Sequence, residues 1–256
     1  MNRKPEIPAC AGAVFDRAGY IEAYPPPMLG PSTLGATALD AATLDLALEV
    51  LGRLEPDDYI RFLLAFCAEA RGRYGAHWHY ADITTACLAA ARLLQPSSYL
   101  EIGVRRGRSM AMVAAACPNC RLLGFDLWIE NYAGMPNPGP DFVRQQMREV
   151  GHRGLLDLVG GDSHVTLKAY LHDHPGEYFD LVTVDGDHSE AGAAEDLADV
   201  LPRVARGGVV VFDDIAHPAH PYLLAVFEAA CAAAGDFRTW RFAEVGYGVA
   251  MAVRYA

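Results

Sequence analysis

Basic residues are scarce in this chain: 21 Lys and Arg stand against 32 Asp and Glu, for a formal net charge of −11. Proteins that grip nucleic acid through its phosphates present a basic face. No run of Lys or Arg occurs here, so no nucleic-acid partner is expected; a single basic pocket for one phosphate stays open. Long apolar runs are missing too. None approaches the ~20 residues of a membrane span, and the opening MNRKPEIPAC lacks the apolar core of a secretory signal. No membrane association is expected, and the expected location is the cytoplasm. Cysteine is sparse, with six in 256 residues. Several sit in apolar helical context, where a free thiol behaves as a small hydrophobe. Cys117-Pro-Asn-Cys120 is a single CxxC. A zinc site wants a second pair or suitably spaced histidines, so this one reads as a reduced pair at a helix end.

What is present is a large apolar share, 52%, enough for one α/β domain with a smaller helical extension. Residues 1–35, rich in Pro, Gly and Ala, read as an extended arm, since Pro25-Pro26-Pro27 cannot be helical. Residues 39–74 turn helical, with apolar positions at three- and four-residue steps. Leu54-Glu55-Pro56-Asp57 breaks them into two helices, with Pro56 suited to the start of the second. We therefore divide the chain into an N-terminal arm and helical cap, 1–75, and a core domain, 76–256.

The core alternates strands and helices. A helix over 82–94 leads in. Strands are predicted at 99–103, 121–126, 155–159, 179–185 and 208–213, with helices over 107–116, 165–172, 190–204 and 221–234. Such βα repetition argues for a parallel sheet covered on both faces. Residues 237–243 and 247–254 read instead as an antiparallel hairpin. The fold class is therefore α/β: a Rossmann-like, doubly wound, seven-stranded sheet, mostly parallel with a C-terminal antiparallel hairpin, plus the helical cap. The long irregular stretch 128–151 is expected to be a lid or binding loop.

Ligands of open α/β sheets bind beyond the carboxyl ends of the strands. There this chain places Glu101 and Gly103 to Ser109, then Asp126, Asp162-Ser163, Asp185-Gly-Asp-His188 and Asp213-Asp214. The glycine spacing Gly103-x-x-x-Gly107 is not the dinucleotide GxGxxG. Glu101 would repel a pyrophosphate and suits a cationic ligand, such as one with an amino group and a sulfonium. Asp126 stands where an acid accepts ribose hydroxyls; the alternative is a loop or cap residue.

The segments SYLEIGVRRGRSM, LLGFDLW and FDLVTVDGDHSEAGAAEDLADVLPRVARGGVVVFDDI resemble class I S-adenosylmethionine (SAM) methyltransferases. Most of all they resemble the metal-dependent bacterial branch of macrolide-sugar and rhamnosyl O-methyltransferases. The resemblance spans about residues 76–256 and implies roles position by position. Glu101, Gly103, Gly107 and Ser109 surround the methionine part of SAM. Asp126 takes the ribose hydroxyls, with Leu127 and Trp128 near the adenosine, and Asp162 and Ser163 lie beside the adenine. Asp185, at the cofactor's edge, joins Asp213 and Asp214 as ligands of Mg²⁺ or a similar divalent cation, and His188 is the general base. Clustered carboxylates repel one another unless a cation neutralises them, and hard oxygen donors suit Mg²⁺.

Each residue also has a plainer reading. Asp213-Asp214 could cap a turn, Asp187 could replace Asp185 as ligand, and His188 could be a helix-start residue bonded to a carboxylate. His77 and His79 are two apart and share no helix face; they either line a pocket or pack under the cap. His217 and His220 follow the fifth strand as loop residues or substrate contacts. The expected activity is Mg-assisted O-methylation of a small hydroxylated partner: a sugar, glycosylated natural product, other polyol or phenol of secondary metabolism. A metal-independent N- or C-methyltransferase and a non-catalytic cofactor-binding accessory protein are the competing readings. Most soluble oligomers are symmetric, and the apolar cap leads us to expect a homo-oligomer.

Overall fold

A computed structural model describes residues 28–255. Cys10 and most of the expected N-terminal arm lie outside them. Among the described residues, three helices come first: α1 (Pro31–Ala38), α2 (Ala41–Arg53) and α3 (Asp58–Tyr74). Then follow α4 (Ile83–Leu94), β1 (Ser98–Ile102), α5 (Arg108–Ala116), β2 (Arg121–Asp126), α6 (Pro140–Glu149), β3 (Leu156–Gly160), α7 (Ser163–Asp173) and β4 (Phe179–Val184). The chain closes with α8 (Glu190–Val200), β5 (Val204–Asp213), α9 (Leu223–Ala234), β6 (Phe237–Phe242) and β7 (Val249–Arg254).

The seven strands form one sheet in the order β3-β2-β1-β4-β5-β7-β6. Strands β1 to β5 are parallel, and β7 runs antiparallel to both β5 and β6. This is the expected doubly wound sheet with a terminal hairpin, and β7 inserts between β5 and β6. The strand order reverses at β1 and β4, which is where such sheets bind ligands.

Three boundaries differ from expectation by more than two residues. Residues 31–35 belong to helix α1 rather than to an extended arm; Pro31 sits in its first turn, where the missing N–H costs nothing. The helix predicted over 190–204 stops at Val200, because Pro202 admits only a short 3₁₀ turn. Strand β5 starts at Val204, and its pairing with β4 shifts register between Phe179 and Leu181. Gly207, at φ 76°, supplies the backbone for that irregularity.

The sheet separates two apolar layers. On one face Leu34, Leu51 and Leu63 of the first three helices pack in the same cluster as Met112, Leu122, Val209 and Met251. The other face is covered by α7, α8 and α9 through Leu167, Leu197 and Phe227. Cys117 and Cys120 are free, buried thiols, pushed up to about 11 and about 12 by burial, so the CxxC is an inert apolar pair. The N-terminal helices reach the far edge of the sheet at Gly35, where a Cβ would stand 2.1 Å from Trp240 Nε1. Gly35→Ala should displace Trp240 and cost ~1–3 kcal/mol. A urea midpoint reads this; an unchanged midpoint would show that α1 does not pack on β6. No helix among the described residues is long and apolar enough to cross a membrane.

Candidate active site

Strand β1 carries a buried acid one residue before its end. Glu101 is fully enclosed, and its Oε1 accepts a hydrogen bond from the Ser109 hydroxyl of α5. Its other oxygen, Oε2, is buried without a hydrogen bond of good geometry, and the buried Tyr99 hydroxyl is its polar neighbour. Burial pushes its pKa up to about 8. Two residues on, Gly103 has φ 88°, and a Cβ there would stand 1.9 Å from the Asp185 carbonyl oxygen. Only glycine lets the ends of β1 and β4 approach this closely. Gly107, at φ 75°, is the N-cap of α5 and aims that helix's free amides at the same edge.

Strand β2 ends in Asp126. Its Oδ2 accepts from the Arg105 amide at 2.6 Å and its Oδ1 from the Trp128 amide at 2.5 Å. Arg105 and Trp128 both sit in the left-handed region, φ 50° and 51°. Two unfavourable backbones are thus held in place by one carboxylate. Asp126 organises the turn after β1, and its outer lone pairs stay available to further donors. The Trp128 ring lies over Gly160 at the end of β3, where a Cβ would stand 3.2 Å from its Cδ1.

The residues after β3 are engaged differently. Asp162 is the N-cap of α7 and accepts from the His164 amide at 3.0 Å. The Ser163 hydroxyl donates to Asp196 Oδ1 at 2.9 Å. Asp196, on α8, is fully buried and also takes the Asp187 amide at 3.4 Å. It therefore braces the loops after β3 and β4 together, a role its helical position did not signal.

The ends of β4 and β5 bring three side chains into one group. Ligand atoms of Asp185, His188 and Asp214 all lie within 4.8 Å of one another. His188 Nε2 is 3.4 Å from Asp185 Oδ1 and 3.2 Å from Asp214 Oδ2. Hydrogen bonds to these two carboxylates push His188 up to about 11, so it carries a proton between them. Asp213 lies beside the group; burial, with the charges of Asp185 and Asp214, raises its pKa well above the usual carboxylate range. Asp187 does not compete with Asp185. It turns to the start of α8, where its Oδ1 accepts from the Ser189 amide at 2.7 Å and its carboxylate fills the space a Gly192 side chain would need.

A row of rings leads away from this group. His220 lies 5.3 Å from His188, His217 4.9 Å from His220, and Tyr247 4.2 Å from His217, between ring centroids. Tyr222 fixes the inner end: its hydroxyl donates to the His188 carbonyl at 2.9 Å and stands 3.2 Å from His220 Nδ1. Tyr222 was not read from the sequence, because nothing in a Pro-Tyr pair after a loop marks it. His77 and His79 are exposed, while Trp78 and Tyr80 turn inward and stack at 5.3 Å. This alternation explains the two-residue histidine spacing without a ligand.

Comparison with known proteins bears on this geometry. Residues 100–215 match a family described as a methyltransferase domain. A search of curated proteins returned no match. Among solved structures, the O-methyltransferase TomG of Streptomyces achromogenes, in complex with SAM, is similar with a TM-score of 0.55 and 24% identity, over 79% of this chain and 92% of that one. An O-methyltransferase of Bacillus cereus, with S-adenosylhomocysteine (SAH), gives 0.55 and 18%, over 84% and 91%. CalS11, described as a TDP-rhamnose 3′-O-methyltransferase of calicheamicin biosynthesis, gives 0.52 and 18%, over 84% and 94%. At these identities the solved structures show the shared fold. Residues 100–215 are therefore similar to a methyltransferase domain, and the chain has the fold of these O-methyltransferases, as the resemblance in its sequence implied.

Proposed function

We propose that the protein is a SAM-dependent, Mg-assisted O-methyltransferase acting on a hydroxyl of a small sugar, glycosylated natural product or other polyol or phenol. The observation that carries the cofactor assignment is the fully buried Glu101 carboxyl, whose neighbours are the hydroxyls of Ser109 and Tyr99 rather than a cation. A buried carboxylate with no cationic partner is costly, and the ammonium of a methionine moiety supplies that partner. Asp126 then takes the ribose hydroxyls, Trp128 covers the adenosine, and Gly103 and Gly107 set the close turn that brings the ligand to the backbone. The exposed Asp162 stands at the adenine end; Ser163, tied to Asp196, shapes that end rather than lending its hydroxyl.

The donor set of the second group fits a divalent cation. Asp185 and Asp214 each offer an oxygen, Asp213 is close enough to add its charge, and His188 stands beside them as the base rather than as a ligand. A cation held there would lower the pKa of an acceptor hydroxyl and orient it. Held between two carboxylates, His188 keeps its proton. To act as base it must release that proton, and the two carboxylates that retain it are the ones a divalent ion would engage. His188 then accepts the acceptor's proton, while the protein aligns the oxygen with the sulfonium methyl and excludes water.

The same imidazolium supports a second reading. It already neutralises Asp185 and Asp214, so a metal-independent methyltransferase needs no ion there. Methyl transfer from SAM to a panel of sugars, catechols and amines, with Mg²⁺ and with a chelator, separates the two. We expect transfer to a hydroxyl that falls at least ~100-fold on chelation. Chelator-resistant transfer, or transfer to an amine alone, would overturn the metal-assisted assignment.

A further inference from the structure

The turn after β1 is wired on its outer side to two other segments, and one side chain makes most of the connections. Arg106 is only 8% exposed. Its Nε meets Asp57 Oδ2 at 2.9 Å, and Nη2 approaches Glu55 Oε1 at 4.0 Å, both in the short loop that leads into α3. Its Nη1 donates to the Pro136 carbonyl at 3.4 Å, and its guanidinium lies 4.4 Å above the Phe142 ring, both within 128–151. The neighbouring residues repeat the pattern. Arg105 gives its amide to Asp126, while its guanidinium donates to the Tyr132 carbonyl at 3.0 Å. Arg108 shares Asp57 and lies over Tyr59 of α3. Between them, a Cβ on Gly107 would stand 3.1 Å from Val143 Cγ1 of α6.

We propose that Arg106 is a positioning residue that joins the cofactor-binding turn to the 128–151 segment and to the N-terminal cap, so that the three order together. The inference rests on the cofactor reading above only in naming that turn. A planar guanidinium can hold a carboxylate and a carbonyl and stack on a ring at once; an ammonium cannot. The link therefore prepays the ordering of the turn and of the lid, and preorganisation of this kind appears as affinity.

The test compares Arg106→Lys with wild type by SAH titration and by amide hydrogen exchange. Arg121→Lys serves as control: it disturbs a partly buried arginine at the far end of β2, paired with Glu177. We expect Arg106→Lys to fold, to bind SAH about tenfold more weakly, and to lose the SAH-dependent slowing of exchange over 128–151. Arg121→Lys should lower thermal stability and move neither readout. Arg106→Lys with wild-type affinity and wild-type lid protection would overturn the proposal. If wild type itself fails to bind SAH, the cofactor reading falls, and the link is judged on the free protein. Faster exchange in Arg106→Lys over both 54–59 and 128–151 then supports it, and unchanged exchange in either segment overturns it.

Discussion

Glu101→Gln should weaken SAH binding by ~100-fold or more while making the free protein more stable at alkaline pH. Both effects follow from one buried carboxyl. Its folded pKa, about 8, lies above the 4.5 of an ordinary glutamate. The folded state therefore holds this proton more tightly than the unfolded chain does. Below about pH 4.5 the group costs nothing. As pH climbs toward 8, stability falls, and above 8 the full cost, ~5 kcal/mol, is present. The amide of Gln carries no such slope. The difference in unfolding free energy between variant and wild type should therefore grow between pH 5 and 8 and then level. Binding runs the other way. An ammonium ligand selects the carboxylate, so wild-type affinity should rise with pH up to about 8, with release of up to one proton. Calorimetry in two buffers of different ionisation enthalpy reads that proton. An affinity unchanged in Glu101→Gln would show that Glu101 does not meet a cation.

The placement of Glu101 at the sheet edge was legible because it stands two residues before a glycine, near the end of an apolar strand. Gly103, Asp126, Asp185 and Asp214 were legible in the same way, since strand ends can be located from apolar runs and the fold brings strand ends together. The parallel core and terminal hairpin followed from the same runs. Contacts made across the chain left no such trace. Asp57 looks like a helix cap, and it is one, bonding the Ile60 amide at 2.8 Å. That it also anchors two arginines 49 and 51 residues away is a fact of packing. Asp196 lies mid-helix with nothing to mark its burial. Helix α1 was missed because proline at a first helical turn and proline in an extended arm look alike without the structure.

His188→Ala should leave SAH affinity near wild type and lower kcat by ~10²–10⁴-fold, the range for loss of a general base. The same substitution should change how the protein responds to Mg²⁺. In the ion-free protein the imidazolium lies between Asp185 and Asp214. Its stabilisation is complete below about pH 6.5, the ordinary histidine value, and is lost as pH rises through about 11. Without it, two carboxylates face each other beside Asp213 with no positive charge between them. The variant should melt below wild type in chelator at pH 7, and Mg²⁺ should raise its melting temperature by more than it raises that of wild type. Single-turnover transfer rates and paired melting curves check the two halves separately. Full activity in His188→Ala would remove the histidine from the chemistry, and equal Mg²⁺ responses would remove the ion from this group.

The central claim is that the β1–β4 edge holds an adenosyl ligand with a charged methionine end, and titration of SAH into the wild-type protein at pH 8 tests it most directly. The account predicts saturable one-to-one binding that methylthioadenosine, which lacks the amino-acid end, reproduces only weakly. No heat and no saturation at millimolar SAH would contradict it.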